Sequence, residues 1–251
     1  MKKLLVLFLV AVSVLGLAAC GPTKEFGYGI AYARVHGGHY VGVAEVVVDK
    51  DNKVVKVDFE EYYLPYNAAQ VGTVGNNPEL VENADVLVAG DPETAATKLY
   101  AKYFKVKSLL FSASYVNNEI KYTANGIEIN DWVDSEENAI AYVDAIENGE
   151  VFIATSAGAK HGTLVPSGVA FYGFAKSATG YWPVSATRLL GWGGNMRAME
   201  LALIGTDFSG EASRGETDTY WSIGDAVTGA TLTDFPDYYN LAKAAYDKAI
   251  A

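Results

Sequence analysis

Apolar and β-branched runs, broken by polar clusters, dominate the first half of the chain and predict strands. Residues 41–48 and 54–59 are rich in valine, and residues 49–53 between them carry two aspartates, an asparagine and two lysines. Apolar runs separated by such a cluster are typical of a β-hairpin. Further strands are predicted at residues 105–116, 119–123, 151–155 and 168–175.

Helical spacing of apolar residues, with start and stop signals, predicts four helices. They are predicted at residues 92–104, 135–148, 195–204 and 237–250. Ser135 is the predicted N-cap of the second, and Gly149 follows its end. The last helix, with its first turn near Asp234, is predicted to bury one side, made of Tyr238, Leu241, Ala242, Ala245 and Tyr246. This order of elements predicts the α+β class, with an antiparallel sheet and packed helices.

The N-terminus carries the pattern of a secretory signal. Lys2 and Lys3 precede an apolar run over residues 4–17 that is too short for an ordinary membrane span. The run ends in Leu-Ala-Ala-Cys at residues 17–20, which resembles a bacterial lipobox. That resemblance implies lipidation of Cys20 after cleavage. The alternatives are an unmodified cysteine at an ordinary cleavage site and a retained signal anchor.

Cysteine use and length set the expected organisation. Cys20 is the only cysteine among 251 residues, which excludes an intramolecular disulfide and a multi-cysteine metal site. No linker rich in Pro, Gly or Ser interrupts the remainder. We therefore expect a signal peptide at residues 1–19, a lipidated N-terminus and short tether at residues 20–26, and a single compact domain at residues 27–251.

The acidic balance of the chain narrows the function classes. The formal net charge is −11, and removal of residues 1–19 takes away two lysines and no acids, which makes it −13. Such a charge argues against a nucleic-acid partner and against a protein that lies flat on anionic lipid. It favours a soluble domain held on the extracytoplasmic face of the cell membrane by acyl chains, palmitate among them.

Residues 225–231 read Asp-Ala-Val-Thr-Gly-Ala-Thr and stand directly before the last helix. Gly229 and Ala230 leave room for a bulky group to approach the Thr231 hydroxyl. The amide groups at a helix N-terminus suit a phosphate on that hydroxyl. The alternative is that Thr231 or Thr233 only caps the helix.

This 225–231 segment resembles the flavinylation motif of FMN-binding-domain proteins, in which the hydroxyl of a Thr or Ser is joined to the phosphate of FMN. The resemblance is specific over about the last thirty residues and loose elsewhere. It implies that Thr231 carries the cofactor. The accompanying cofactor-binding residues are Asp225, Thr228, Gly229 and Ala230. It further implies a separate magnesium-dependent flavin transferase that installs FMN from FAD, with Asp225 serving either recognition or transfer.

The resemblance implies an electron carrier in extracytoplasmic or extracellular electron transfer rather than a stand-alone enzyme, so no catalytic residue is predicted. The redox partners are not identified by the sequence. Two alternatives stay open: a non-catalytic surface lipoprotein that binds a small solute or a partner protein, and a flavin-dependent extracellular reductase. Trp221 is a candidate to stack on the flavin ring.

Two weaker patterns remain. Ser185, Ala186 and Thr187 stand before the third predicted helix much as residues 229–231 stand before the last, which makes Thr187 either a second flavin site or part of a cap or pocket-lining loop. His36 and His39 flank two glycines but have no third ligand at a recognisable spacing, so no metal site is predicted.

Overall fold

The computed structural model describes most of the chain as an α+β fold. The described residues are 25–73, 86–89, 98–117, 119–154, 175–180 and 182–251. Within them, antiparallel strands form four sheets that pack with six α-helices, which confirms the predicted fold class. In the same residues, no helix combines the length and the apolar character that crossing a bilayer requires.

The elements follow one another without long structureless stretches among the described residues. The strands are β1 (Phe26–Val35), β2 (Tyr40–Asp49), β3 (Val54–Tyr63), β4 (Gln70–Thr73), β5 (Val86–Ala89), β6 (Lys98–Ala101), β7 (Tyr103–Val106), β8 (Leu109–Val116), β9 (Glu119–Ala124), β10 (Ile127–Glu128), β11 (Val151–Ala154), β12 (Ala212–Ser213), β13 (Ser222–Ile223) and β14 (Ala226–Val227). The α-helices are α1 (Pro65–Ala68), α2 (Ile129–Trp132), α3 (Glu136–Glu147), α4 (Lys176–Thr179), α5 (Gly191–Leu203) and α6 (Phe235–Ile250), with a 3-10 turn at His36–Gly38.

The sheet of β1, β2 and β3 is an antiparallel meander, and its β2–β3 turn confirms the predicted hairpin. The Asp49 side chain closes the turn by accepting hydrogen bonds from the backbone N–H groups of Asp51 and Lys53, both at 2.9 Å. Asn52 takes a left-handed φ of 58° there, a conformation that asparagine adopts more readily than most residues. The polar cluster therefore forms the turn through its own side chains.

Helix α6 lies so close to β1 that only glycine fits between their backbones. A Cβ atom at Gly27 would overlap the carbonyl oxygen of Ala249, and one at Gly29 would overlap that of Ala245. The apolar side predicted for this helix is confirmed by the burial of Tyr238, Leu241, Ala242, Ala245 and Tyr246. The central sheet and the C-terminal helix thus form one layered core.

A second antiparallel sheet has the strand order β10-β9-β8-β7-β11, and α3 joins it to the first. The predicted cap of α3 is confirmed, because Ser135 Oγ accepts a hydrogen bond from the backbone N–H of Asn138 at 3.2 Å. On α3, the buried Tyr142 hydroxyl donates to the carbonyl oxygen of Tyr63 in β3. Its ring lies 6.3 Å from that of Phe104 in β7, so one tyrosine contacts both sheets.

The predicted helix at residues 92–104 is wrong in its described part, which forms β6 and the start of β7. In β7 the buried residues Phe104 and Val106 are separated by one residue, which is the strand period, whereas Leu99, Tyr100 and Ala101 of β6 are all buried. Pairing of β6 with β4 and β5, and of β7 with β8 and β11, decides the local structure over the helical spacing that the same residues also permit. Residues 92–97 lie outside the described part.

The predicted strand at residues 105–116 is two strands, β7 and β8, joined by a tight turn. Val106 pairs with Leu109, and Lys107 takes a φ of 52° in the turn between them. Lysine and serine are not the residues that usually mark a two-residue hairpin turn, so the turn has no recognisable sequence signal. The structure confirms the predicted strand at residues 119–123, which lies in β9. It also confirms residues 151–154 of the strand predicted at residues 151–155, which form β11. Of residues 168–175, only Ala175 is described, and it pairs with Tyr62.

The predicted helix at residues 195–204 begins four residues earlier than expected, since α5 begins at Gly191. Its first turn contains Gly191, Gly193 and Gly194, and glycine has a poor intrinsic helix propensity. Gly191 has a φ of 60°, and a Cβ there would lie 2.8 Å from the carbonyl oxygen of Trp182. A close approach between chain segments therefore fixes the helix start.

Candidate functional site

The 225–231 segment runs from an exposed hairpin tip into the packed junction before α6. Ile223 in β13 pairs with Ala226 in β14, so Gly224 and Asp225 form the tip. Gly224 has a φ of 56°, and Asp225 is exposed. A Gly-Asp pair is usual in such a two-residue turn, and among the described residues the Asp225 carboxylate makes no hydrogen bond or ion pair.

The middle of the segment, residues 228–230, forms a tight turn, and each of its three residues contributes to that turn. Thr228 is buried, and its Oγ1 donates to the carbonyl oxygen of Trp221 at 2.8 Å and accepts from the N–H of Ala230 at 3.0 Å. Gly229 has a φ of 79°, which favours glycine. Ala230 is 0% exposed. The small residues that the sequence linked to access for a cofactor therefore also build the turn.

Thr231 is half-buried, and its contacts are with α5 rather than with the helix it precedes. The backbone N–H of Thr231 donates to Asn195 Oδ1 at 2.7 Å, and the hydroxyl donates to the same oxygen at 3.2 Å. The N-cap of α6 is Asp234, which makes no side-chain capping hydrogen bond. The alternative in which Thr231 or Thr233 caps α6 is therefore wrong, and the Thr231 side chain is held by Asn195.

Trp221 forms hydrogen bonds with the two residues that flank Thr231 in the sequence. Its backbone N–H donates to the carbonyl oxygen of Ala230 at 3.0 Å, and its indole Nε1–H donates to that of Leu232 at 2.6 Å. The Trp221 ring stacks on the buried Phe235, with centroids 5.2 Å apart, and the guanidinium of Arg214 lies 4.7 Å from the same ring. Trp221 thus packs into the fold, which leaves less of its ring for a flavin than the sequence predicted.

The start of α6 carries two acids that bind the turn between β1 and β2. His36 Nδ1 lies 2.6 Å from Asp234 Oδ2, and the His36 backbone N–H donates to Asp237 Oδ2 at 2.9 Å. Burial lowers the pKa of His36, and the nearby Asp234 carboxylate partly opposes that shift. Two carboxylates therefore already occupy the positive end of the helix dipole, where the sequence suggested that a phosphate would lie.

A buried ion pair between Glu61 and Lys176 lies beside Trp192 of α5. The sequence does not predict this pair. Glu61 is 0% exposed in β3; Lys176 Nζ contacts its Oε2, and the Tyr238 hydroxyl donates to its Oε1. The Lys176 ammonium also lies 4.1 Å from the ring centroid of Tyr40 and 5.7 Å from that of Trp192. Trp192 and Asn195 are three residues apart on α5, so this cluster lies next to the support of Thr231.

Burial shifts the pKa of both members of the pair in the direction that favours the uncharged form of each side chain. Desolvation raises the pKa of the Glu61 carboxyl and lowers that of the Lys176 ammonium, and their mutual attraction opposes both shifts. The sequence did carry a signal for Glu61. The alternating positions Val57, Phe59 and Tyr63 of the same strand are buried, so a glutamate in that register faces the core.

The second threonine pattern lies in a different environment. Thr187 is exposed in a tight turn in which Ser185 and Arg188 exchange backbone hydrogen bonds at 3.0 and 3.1 Å. Among the described residues, the Thr187 hydroxyl has Ser185 Oγ as its hydrogen-bond partner, at 3.4 Å. Among the described residues, no group of three or more His, Cys, Asp or Glu side chains is placed to hold a metal ion. Cys20 lies outside the described residues.

No family model matches the chain, and neither a curated protein nor a solved structure matches it. The evidence for a function therefore lies in the residues themselves, chiefly in the 225–231 segment and the residues that hold it.

Proposed function

We propose that this protein is an extracytoplasmic flavoprotein of the FMN-binding-domain type, with FMN joined through its phosphate to Thr231 Oγ1 and with electron carriage as its task. The observation that carries the proposal is the pairing of a half-exposed Thr231 hydroxyl, fixed by Asn195, with an exposed Asp225 whose carboxylate makes no hydrogen bond or ion pair among the described residues. Turn geometry and burial account for Thr228, Gly229 and Ala230.

The surroundings of Thr231 fit such a cofactor in two respects. A Cβ at Gly229 would meet only the Cβ of Ala198, at 4.0 Å, so there is free space beside the segment. The Arg214 guanidinium lies over the ring of Trp221, which binds the residues on both sides of Thr231, so a positive charge lies against the residue that holds this segment. Against these two features, Asp234 and Asp237 disfavour an anion at the start of α6 itself, so we expect the phosphate to lie away from that end of the helix.

In this proposal the flavin supplies the one- and two-electron chemistry when it is bound, and the protein anchors and orients it. Thr231 forms the covalent link, while Asn195 and Trp221 hold the backbone from which the link projects. Asp225, at the exposed hairpin tip, is available to a flavin transferase. A covalent bond keeps one cofactor per protein outside the cell, where a dissociable one would be lost by dilution.

The test is to produce the protein with a flavin transferase and to denature and desalt it. We expect the unfolded protein to stay yellow, and peptide mapping to place one FMN mass increment on the peptide that contains Thr231. We expect Asp225→Asn to lower incorporation without changing the free energy of unfolding, with Asp218→Asn, another exposed aspartate, as the matched control. Colourless denatured protein would contradict the proposal.

The location of the protein has its own test. We propose a lipid anchor on Cys20, because a lone cysteine ends the signal-like segment at residues 1–19. Fractionation of Cys20→Ser should show the protein released from the membrane or left unprocessed. A variant that is processed normally and stays bound to the membrane would show that another element anchors it.

A further inference from the structure

We infer that Asn195 is the positioning residue that orients the Thr231 hydroxyl for modification, an inference that rests on the proposed function. Asn195 is 1% exposed in the second turn of α5. Its Oδ1 accepts the backbone N–H of Thr231 at 2.7 Å and the hydroxyl at 3.2 Å. One buried atom therefore fixes both the backbone and the side-chain torsion of the same residue.

The orientation of the Asn195 amide is determined by its partners. The Nδ2 group donates to the carbonyl oxygen of Gly191 at 2.7 Å, and a carbonyl can only accept. The Thr231 backbone N–H can only donate, so it requires the oxygen on its side. A flipped amide would lose both contacts, which makes Oδ1 the acceptor for the hydroxyl.

This contact determines which part of the hydroxyl is left for chemistry. With its O–H directed at Asn195, Thr231 Oγ1 directs its lone pairs away from α5, on a residue that is half-exposed. In the transfer from FAD, a bond forms between Oγ1 and the phosphorus of the FMN half. The bond from that phosphorus to the bridging oxygen breaks, AMP leaves with the electron pair, and the hydroxyl proton is released.

Asn195 acts through Thr231 and not on the reacting phosphorus. A neutral amide oxygen is too weak a base to take the proton, which passes to the transferase or to water. After transfer, Asn195 Oδ1 keeps the backbone N–H of Thr231 and loses only the hydroxyl contact. Its contribution is therefore orientation before the reaction, the kind of effect for which a small misplacement costs on the order of a hundredfold in rate.

The experiment measures the transfer rate with purified transferase, FAD and Mg²⁺, read as the FMN mass increment on the Thr231 peptide. For Asn195→Leu, which keeps the shape and removes the acceptor, we expect kcat to fall about tenfold or more and KM for the protein substrate to change less than about twofold. Asn138→Leu is the control, since Asn138 Nδ2 makes a similar 2.8 Å contact with the carbonyl oxygen of Trp132 on another helix.

A conservative variant separates orientation from general packing. Asn195→Asp keeps an acceptor for both Thr231 groups, and because burial favours the neutral carboxylic acid, its second oxygen can donate to the carbonyl oxygen of Gly191 as Nδ2 does. We expect its rate to return to within about threefold of wild type. A rate as low as that of Asn195→Leu would overturn the inference.

A second readout needs no flavin. In the unmodified protein, Asn195→Leu should make the Thr231 amide exchange its hydrogen faster, while the amides of α6 keep their protection. If Asn195→Leu does not fold, Thr231→Ser gives the answer, because serine lacks the methyl group that confines threonine χ1. We expect this variant to be modified at a rate within about fivefold of wild type. Failure to modify it would show that rotamer preference, not Asn195, orients the hydroxyl.

The outcomes separate the inference from the function. Wild-type protein that gains no flavin on Thr231 would contradict the proposed function, whatever Asn195 does. Wild-type protein that is modified, together with Asn195→Leu modified at the same kcat, would overturn the role of Asn195 and leave the function intact.

Discussion

Residues 229–231 read Gly-Ala-Thr before α6, and residues 185–187 read Ser-Ala-Thr before α5. In the first, Ala230 is fully buried and Thr231 binds Asn195 on another helix. In the second, a two-residue turn leaves all three side chains exposed. α5 links the two, since it follows the 185–187 turn and carries the residue that holds Thr231. An alanine and a threonine before a helix thus acquire a role only through what packs around them.

The largest expected difference between the two is in flavin content. Thr231→Ala should abolish the FMN mass increment, because the attached oxygen is gone, while Thr187→Ala should keep one flavin per protein. Both variants should give the far-ultraviolet circular dichroism of wild type. Intact-mass analysis after production with a flavin transferase measures the stoichiometry. Wild-type protein with two flavins, together with Thr187→Ala protein with one, would show that the exposed turn is a second site, and the comparison would fail.

A smaller difference is expected in packing. Ala230 is 0% exposed, so Ala230→Val adds two methyl groups to a filled space and should lower the free energy of unfolding by about 1–3 kcal/mol. Ala186→Val, on the exposed turn, should change it by less than about 0.5 kcal/mol. Urea unfolding of both variants gives the two values. Equal effects would mean that the two segments are alike in packing after all.

The backbone of the 225–231 segment provides the next test. Gly229 has a φ of 79°, so Gly229→Ala forces an L-residue into the left-handed region at about 1–2 kcal/mol. Gly193→Ala is the matched control, because a Cβ there meets no atom within 4 Å and no left-handed φ is required. The control should be neutral or stabilise the protein by up to about 1 kcal/mol. A stabilising Gly229→Ala would show that the segment is not held in this conformation.

Part of this arrangement follows from the sequence. The β2–β3 hairpin, the cap at Ser135 and the buried side of α6 come from local rules of period and turn chemistry, and all three are confirmed. The wrong helix at residues 98–104 shows the limit of those rules, because short apolar runs satisfy both periods and tertiary pairing selects one. Apolar residues at alternate positions 57, 59 and 63 of the same run would have identified Glu61 as a residue on the core side of β3.

The residues that hold Thr231 in place, and the ion pair next to them, could not be predicted from the sequence. Asn195 is 36 residues from Thr231, and a single asparagine in a helix gives no local signal of its partner. The closeness of Trp221 to the motif in the sequence predicts a ring that stacks on the flavin, but in the structure the ring stacks on Phe235. Lys176 is 115 residues from Glu61. Contacts over such separations depend on how whole elements pack, which no short pattern encodes.

The smallest expected effect concerns the tie between the β1–β2 turn and the residues that follow Thr231. His36 Nδ1 lies 2.6 Å from Asp234, and Asp237, Lys176 and His39 act on it as well. Burial holds the folded pKa of His36 below its usual value of 6.5, so the unfolded chain binds the proton first as the pH falls. The stability that neutral His36 contributes is therefore present above about pH 6.5 and is lost as the pH falls below it.

His36→Asn tests this tie, because asparagine suits the φ of 55° at this position and does not titrate. We expect the wild-type free energy of unfolding to fall more steeply between pH 7 and pH 5 than that of the variant, as measured by urea unfolding at each pH. His39→Gln is the control, since the pKa of His39 is also lowered by burial and His39 does not contact Asp234. If wild type and His36→Asn show the same slope, the protonation of His36 does not weaken the Thr231 side of the comparison, and the imidazole adds nothing to the tie that the backbone N–H of residue 36 makes with Asp237.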